Sequence, residues 1–142
     1  MLLLEEKSLC KPQQQRIVSR DTGHSREHRI DNSPKGYKVR QYRLDKGLVD
    51  NTKCCDFLVL NDSRCHAYFI ELKGGHLEDA VPQLEGARRL LEKELEKYTF
   101  YYRIVTSKTR THNIQKPVFR RFMEQCRGNL KYGTEKIEEV WH

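Results

Sequence analysis

The chain of 142 residues contains no apolar run that approaches the roughly 20 residues needed to cross a membrane. Its start, from Met1 to Leu4, leads directly into Glu5 and Glu6, and lacks the basic leader and longer apolar stretch of a secretory signal. The five cysteines are an odd number without Cys-x-x-Cys spacing, which argues against a disulfide framework and a zinc ribbon. These absences predict a cytoplasmic protein with reduced thiols and no membrane partner.

Positive charge, by contrast, is abundant. The chain has 27 Lys plus Arg against 20 Asp plus Glu, a formal net charge of +7. This surplus favours a polyanionic partner, because counterions are released when basic side chains meet phosphates. The alternative is a solvated basic surface that binds nothing. The length fits one domain with a single hydrophobic core, so one functional site is expected.

The hydrophobic pattern divides the chain into two segments. Residues 1–36 are mostly polar and predict a basic N-terminal arm or a short helix. In residues 37–142, the stretch YKVRQYRL alternates at period two and is followed by two apolar runs, CDFLVLN and AYFIELK. These three stretches predict strands, and runs that are apolar on both faces are usually covered on both sides of a sheet.

Helical periodicity begins after the third strand. An apolar stripe predicts a helix from about Asp79 to about Lys97, with Pro82 in its first turn. The stretch TFYYRIVTS predicts a fourth strand, and Pro117 opens a helix that runs to about Cys126. The core order is therefore αβββαβ, with an antiparallel meander and a helical crossover to a parallel strand. The expected fold is an α/β three-layer sandwich with a mixed central sheet and helices on both faces.

Three charged residues lie inside the two most apolar runs. Glu71 and Lys73 are two residues apart and share one face of the predicted strand. Asp56 joins that face if the hairpin loop has four residues. A loop of residues 62–65 places it opposite Glu71, and a loop of residues 63–66 places it opposite Lys73. A loop of three or five residues would turn Asp56 away.

Such a constellation has a definite chemistry. Two carboxylates on directly opposed residues, whose Cβ atoms are about 5 Å apart, are expected to bind Mg²⁺ or Mn²⁺, with the Leu72 carbonyl and water filling other positions. Lys73 would then orient or deprotonate a metal-bound water and stabilise negative charge developing on a phosphate. The alternative is a structural ion pair of Lys73 with Glu71 or Asp56 at the end of the sheet.

The ordered set of Asp56, then Glu71-Leu72-Lys73, then a helix that carries Gln83, resembles the PD-(D/E)xK nuclease superfamily, which includes restriction endonucleases and Holliday-junction resolvases. The resemblance covers about residues 37–106. It implies that Asp56 and Glu71 bind the metal, that Lys73 assists the attacking water, and that Gln83 positions Lys73 or a phosphate.

The sequence departs from the family pattern in two places. Cys55 stands where a proline gives the family its name. The family often has a further acidic residue on a helix before the first strand, and here the candidates are Glu5, Glu6 and Glu27, none of which lies in a helical pattern.

The resemblance and the site chemistry together predict a metal-dependent nuclease. An endonuclease is favoured over an exonuclease, and DNA is favoured over RNA as the substrate. The residues expected to hold the nucleic-acid backbone follow the fourth strand or lie on the last helix: Lys108, Arg110, Lys116, Arg120 and Arg121. His76 follows two glycines at the mouth of the site, where it could contact substrate or lie in solvent. The alternative function is an inactive nuclease-like module that binds nucleic acid or protein. A homodimer or a partner subunit could supply recognition elements.

Overall fold

The computed structural model describes residues 1–108 and 111–142. The strands are β1 (Arg16–Arg20), β2 (Glu27–Asp31), β3 (Val39–Arg43), β4 (Phe57–Asn61), β5 (His66–Lys73), β6 (Thr99–Thr106), β7 (Leu130–Thr134) and β8 (Lys136–Val140). The helices are α1 (Ala80–Leu91), α2 (Thr111–Ile114) and α3 (Pro117–Cys126), and 3-10 turns lie at Glu5–Lys7 and Leu77–Asp79.

The central sheet has the strand order β3-β4-β5-β6-β7. Strands β3, β4 and β5 form an antiparallel meander, whereas β6 is parallel to β5 and β7 is parallel to β6. Helix α1 connects β5 to β6 and packs against β5, as a crossover between parallel strands requires. The predicted α/β class, the mixed central sheet and the βββαβ order are confirmed.

A second sheet covers the other face of the central sheet. It has the order β1-β2-β8, with β1 antiparallel to β2 and β2 parallel to β8, so it joins opposite ends of the chain. One apolar cluster lies between the helices and the central sheet, and a second lies between the two sheets, where Ile17, Ile30 and Trp141 pack against Val59 and Ile70. The prediction of helices on both faces is therefore corrected: helices cover one face of the central sheet, and the second sheet covers the other.

The N-terminal segment is the second correction. Residues 1–36 form neither an arm nor a regular helix, because β1 and β2 lie within them and pair as a hairpin. These strands are mostly polar, but two of their three apolar side chains, Ile17 and Ile30, are completely buried. The hairpin therefore depends on burial against the central sheet, since a two-stranded hairpin alone is marginally stable in water.

Helix α1 is shorter than its apolar stripe. It ends at Leu91, and the following residues form turns up to the start of β6. Leu95 is nevertheless buried, so the stripe continues as core packing after the regular helix ends. Helix α3 begins at Pro117 and ends at Cys126, as predicted. Among the described residues, no helix combines the length and the apolar character needed to cross a membrane.

Candidate active site

The hairpin between β4 and β5 has the register that brings two acidic residues together. Asn61 pairs with His66, so the loop consists of residues 62–65, the first of the two four-residue loops considered from the sequence. The Asn61 side chain accepts a hydrogen bond from the Arg64 N–H at 3.0 Å. The last regular pair is Phe57 with Ile70, and continuing this register by one residue places Asp56 opposite Glu71.

Asp56 and Glu71 are buried next to each other. Asp56 is 8% exposed and Glu71 is 5% exposed, and their carboxyl groups are in contact. Asp56 Oδ2 accepts a hydrogen bond from the Leu72 N–H at 2.8 Å. Glu71 Oε1 is buried and has no hydrogen-bond partner in the part of the chain that the structure describes. The three predicted metal-binding residues, Asp56, Glu71 and Leu72, thus lie together.

Burial and mutual repulsion change how this pair ionises. Burial raises the pKa of Glu71 to about 9, and the neighbouring Asp56 carboxylate adds to the effect, whereas Lys73 opposes it. Burial also raises the pKa of Asp56, against the hydrogen bond from Leu72. Two carboxyl groups that are buried in contact with each other share a proton near neutral pH, because the second negative charge is strongly disfavoured. A cation would remove that penalty.

Lys73 is the last residue of β5 and lies on the same face of the strand as Glu71. Its side chain is partly exposed, and its charge reaches Glu71, whose pKa it lowers. No ion pair within 4 Å joins Lys73 to either carboxylate in residues 1–108 and 111–142. This geometry disfavours the structural ion pair considered from the sequence and leaves the ammonium group accessible.

Gln83 supports the chain segment that leads to Asp56. It lies in the first turn of α1, and its Oε1 accepts a hydrogen bond from the Cys54 N–H at 3.2 Å. No hydrogen bond joins it to Lys73 among the described residues. A Cβ atom added at Gly86, one helical turn further along, would clash with the Lys53 carbonyl oxygen. Glycine therefore allows α1 to approach this segment closely.

Replacing Gly86 with Ala is expected to lower the free energy of unfolding by about 2 kcal/mol, because the methyl group meets backbone and the clash outweighs the roughly 1 kcal/mol gain in helix propensity. Urea unfolding measures the difference. Gly75→Ala is the matched control, since a Cβ there meets nothing within 4 Å. A Gly86→Ala protein as stable as this control would show that α1 does not hold the segment.

Arg43 and Asp21 complete the surroundings of Asp56, and neither was identified from the sequence. Arg43 Nη2 lies 3.6 Å from Asp56 Oδ1, and Arg43 Nη1 donates to Asp21 Oδ1 at 2.6 Å. A cleft of about 320 Å³ opens beside them. Its lining residues come from the loop after β1, from the end of β3 and the loop that follows it, and from the segment before β4: Asp21, Thr22, His24, Arg43, Asp45, Lys46 and Asp56.

The N-terminal acidic residue close to the site is therefore Asp21. Its charge contributes to the raised pKa of Asp56, although burial is the larger cause. Two of the three candidates from the sequence have other partners: Glu5 pairs with Lys38 at 2.9 Å and Glu27 pairs with Arg29 at 3.1 Å. Glu6 is exposed on the turn beside Glu5.

A second arginine, Arg26 in the loop between β1 and β2, lies at the ends of the parallel strands β5 and β6. Arg26 Nη1 donates to Ser107 Oγ at 2.6 Å, directly after β6. A Cβ added at Gly74, directly after β5, would lie 3.3 Å from the same nitrogen. The guanidinium group therefore lies at the end of the sheet where Lys73 is found.

The predicted backbone-binding residues lie partly at this end. Lys108 is exposed after β6, and Arg120 and Arg121 are exposed on α3, which contacts the turn Leu77–Asp79. Lys116 Nζ lies 3.9 Å from Glu78 Oε1. Arg110 lies outside the described residues.

The donor set of the site fits a hard divalent cation. It offers two carboxylates and one peptide carbonyl, all of them oxygen ligands, and one carboxylate oxygen is buried without a partner. In the described part of the chain, no group of three or more His, Cys, Asp or Glu side chains could hold a metal ion. Mg²⁺ fits two carboxylates, because it keeps several waters and is usually held by one or two carboxylates plus substrate phosphates.

Comparison with known proteins gives no relative: no family model matches the chain, and neither a curated protein nor a solved structure matches it.

Proposed function

We propose that the chain is a metal-dependent nuclease that hydrolyses phosphodiester bonds within nucleic-acid strands, with DNA favoured over RNA as the substrate. The observation that carries this proposal is the buried pair of Asp56 and Glu71, in which Glu71 Oε1 has no partner in the described chain. Lys73 lies on the same face of the strand and, among the described residues, forms no ion pair within 4 Å with either carboxylate. A buried carboxylate without a partner is costly, and a protein that keeps one generally uses it.

Each residue has a role that follows from its position. Asp56, Glu71 and the Leu72 carbonyl would hold Mg²⁺ or Mn²⁺, which supplies a nucleophilic water at neutral pH and polarises the phosphate when bound. Lys73 orients the attacking water and stabilises the negative charge that develops on the phosphate. Gln83 keeps the segment that carries Asp56 in place through Cys54.

Charge around the site favours a phosphate backbone. Arg43 and Arg26 are held by Asp21 and Ser107 at the same end of the sheet, and Lys108 is exposed beside them. Arg120 and Arg121 extend the positive surface along α3. Because each phosphate contact releases counterions, these cations and the net charge of +7 support binding to a polyanion. A homodimer or a partner subunit is the proposed source of any sequence-reading element.

Replacing Lys73 with Ala is expected to lower the cleavage rate by about 10²- to 10³-fold, the usual effect of losing a group that stabilises developing charge. Asp56→Ala is expected to remove metal-dependent cleavage. The purified protein is incubated with single-stranded, duplex and branched DNA and with RNA, in Mg²⁺, in Mn²⁺ and in chelator, and the products are separated on denaturing gels. Lys93→Ala, which changes an exposed lysine after α1, is the control.

The outcomes separate the two functions that the sequence left open. Cleavage that continues in the presence of chelator, or that persists in both Lys73→Ala and Asp56→Ala, contradicts the proposed site. Nucleic-acid binding without cleavage, under all metal conditions, supports the inactive binding module instead.

A further inference from the structure

A chain of three hydrogen-bonded side chains lies beside the proposed active site. Asn113, on α2, donates from Nδ2 to Glu78 Oε2 at 2.9 Å, and the same Nδ2 contacts His76 Nδ1 at 3.1 Å. Glu78 belongs to the turn Leu77–Asp79, and His76 directly precedes this turn. His76 lies three residues after Lys73, beyond Gly74 and Gly75, at the end of the sheet where the site is found.

These contacts favour one tautomer of His76, because its Nδ1 is within hydrogen-bond distance of Asn113 but lies 4.0 Å from Glu78 Oε1, too far for a hydrogen bond. An ionised carboxylate can only accept hydrogen bonds, so the Asn113 atom that contacts Glu78 must be the amide nitrogen and not the oxygen. That nitrogen can only donate, so His76 Nδ1 must accept. A neutral imidazole that accepts at Nδ1 carries its hydrogen on Nε2.

The exposure of the side chains increases along this chain of contacts, from Asn113 to His76. Asn113 is 2% exposed, the side chain of Glu78 is 13% exposed, and that of His76 is 64% exposed. Lys116 Nζ lies 3.9 Å from Glu78 Oε1 and balances its charge. Within the part of the chain that the structure describes, His76 Nε2 has no hydrogen-bond partner. The buried end is therefore fixed, and the exposed end presents one N–H group.

We propose that His76 is a substrate-positioning residue whose neutral Nε2–H group donates a hydrogen bond to a phosphate oxygen of the nucleic-acid backbone next to the active site. This inference rests on the proposed function, because it requires a nucleic-acid strand in the site beside Lys73. Asn113 and Glu78 act through His76: they keep its Nδ1 as an acceptor and so keep Nε2 as a donor.

A neutral donor has a property that distinguishes it from the surrounding cations. A lysine or arginine that contacts a phosphate releases counterions and steepens the salt dependence of binding, by about 0.9 in the slope of log K against log salt for duplex DNA. A neutral imidazole releases none. Loss of His76 should therefore weaken binding equally at every salt concentration.

Binding is measured by fluorescence anisotropy with labelled single-stranded DNA of 20 nucleotides and duplex DNA of 20 base pairs, in the Lys73→Ala background and in chelator, so that metal-dependent cleavage is prevented. His76→Ala is expected to weaken binding about 3- to 10-fold, the usual effect of one hydrogen bond, with an unchanged salt slope. Lys108→Ala is expected to lower the slope. His76→Gln keeps an amide N–H near the Nε2 position and should restore most of the affinity. His66→Ala, at the opposite end of β5, is the matched control.

The role of Asn113 has two direct readouts. In the parent protein, ¹⁵N NMR of His76 should show the Nε2–H tautomer, and Asn113→Ala should give a mixture of tautomers. In the binding assay, the double variant of His76→Ala and Asn113→Ala should bind no more weakly than His76→Ala alone, because Asn113 acts through the histidine.

The results distinguish this inference from the proposed function. Binding by His76→Ala equal to that of His66→Ala, or an Nδ1–H tautomer in the parent protein, overturns the role of His76 even if the parent protein cleaves DNA. Binding that depends on His76 in a protein that never cleaves supports the inference and contradicts the nuclease. A parent protein that binds neither DNA probe overturns both.

Discussion

Glu71→Gln is expected to stabilise the metal-free protein by about 2 kcal/mol at pH 8, while it abolishes metal-dependent cleavage. Glu71 is buried against Asp56, and its Oε1 has no partner in the described chain, so its ionisation opposes folding. A glutamine at this position carries no charge, and its amide can donate to the Asp56 carboxylate. The variant would thus be more stable because it has lost the group that binds the metal.

The pH dependence of this difference has a definite sign. The pKa of Glu71 is raised in the folded protein from 4.5 to about 9. The folded state therefore holds a proton that the unfolded state releases between these values, and the stability of the parent protein falls as the pH rises through this range. The advantage of Glu71→Gln is expected to be small at pH 5 and to grow up to about pH 9.

Urea unfolding at pH 5, 7 and 9, in chelator and in Mg²⁺, measures these effects. Mg²⁺ should stabilise the parent protein, and more strongly at higher pH, because the ion competes with the shared proton. It should not stabilise Glu71→Gln to the same extent. Glu96→Gln, an exposed glutamate after α1, is the control and should differ little from the parent. A Glu71→Gln protein that is less stable at pH 8 would show that Glu71 is ionised and favourably held without metal.

The central part of the fold follows from local patterns in the sequence. The apolar runs of β4 and β5 are buried on both faces, and the short link between them allows only a hairpin. The position of Asp56 depended on one unknown, the length of that loop. The left-handed conformation of Cys65 and the Asn61 side chain close the loop at four residues, which local periodicity could not establish.

The N-terminal hairpin could not be predicted in the same way. Strands β1 and β2 contain few apolar residues, and β2 pairs with β8 from the other end of the chain. Parallel pairing between distant segments leaves no local periodicity, so the polar composition favoured an arm. For the same reason, local periodicity could not place Asp21 and Arg26 at the site, because they reach it only when the hairpin packs across the central sheet.

One buried carboxylate connects the two sheets. Glu139 on β8 accepts hydrogen bonds from Arg103 on β6, through Nε at 2.6 Å and Nη2 at 2.9 Å. His28 Nε2 on β2 lies 2.6 Å from Glu139 Oε2. The side chain of Arg103 is 4% exposed, so its charge depends on this partner. Removing one member of a buried ion pair leaves the other charge without compensation.

Glu139→Gln is therefore expected to lower the free energy of unfolding at pH 7 by about 3 kcal/mol, as measured by urea unfolding. Burial alone would raise the pKa of Glu139, but the hydrogen bonds from His28 and Arg103 lower it to about 2. The stabilisation by this carboxylate is thus complete above its ordinary value of 4.5 and is lost as the pH falls toward about 2, so the difference from the parent should shrink over this range.

The neighbouring residue provides the control. Glu138 is 59% exposed and pairs with Lys136 at 2.8 Å, so Glu138→Gln should change the stability by less than about 0.5 kcal/mol. Loss of Glu139 weakens the attachment of β2 and β8, and with it the loop that carries Asp21 and Arg26. Glu139→Gln should therefore also weaken DNA binding under conditions in which the variant is still folded. Equal stability of Glu138→Gln and Glu139→Gln would show that the second sheet is held by its apolar contacts alone.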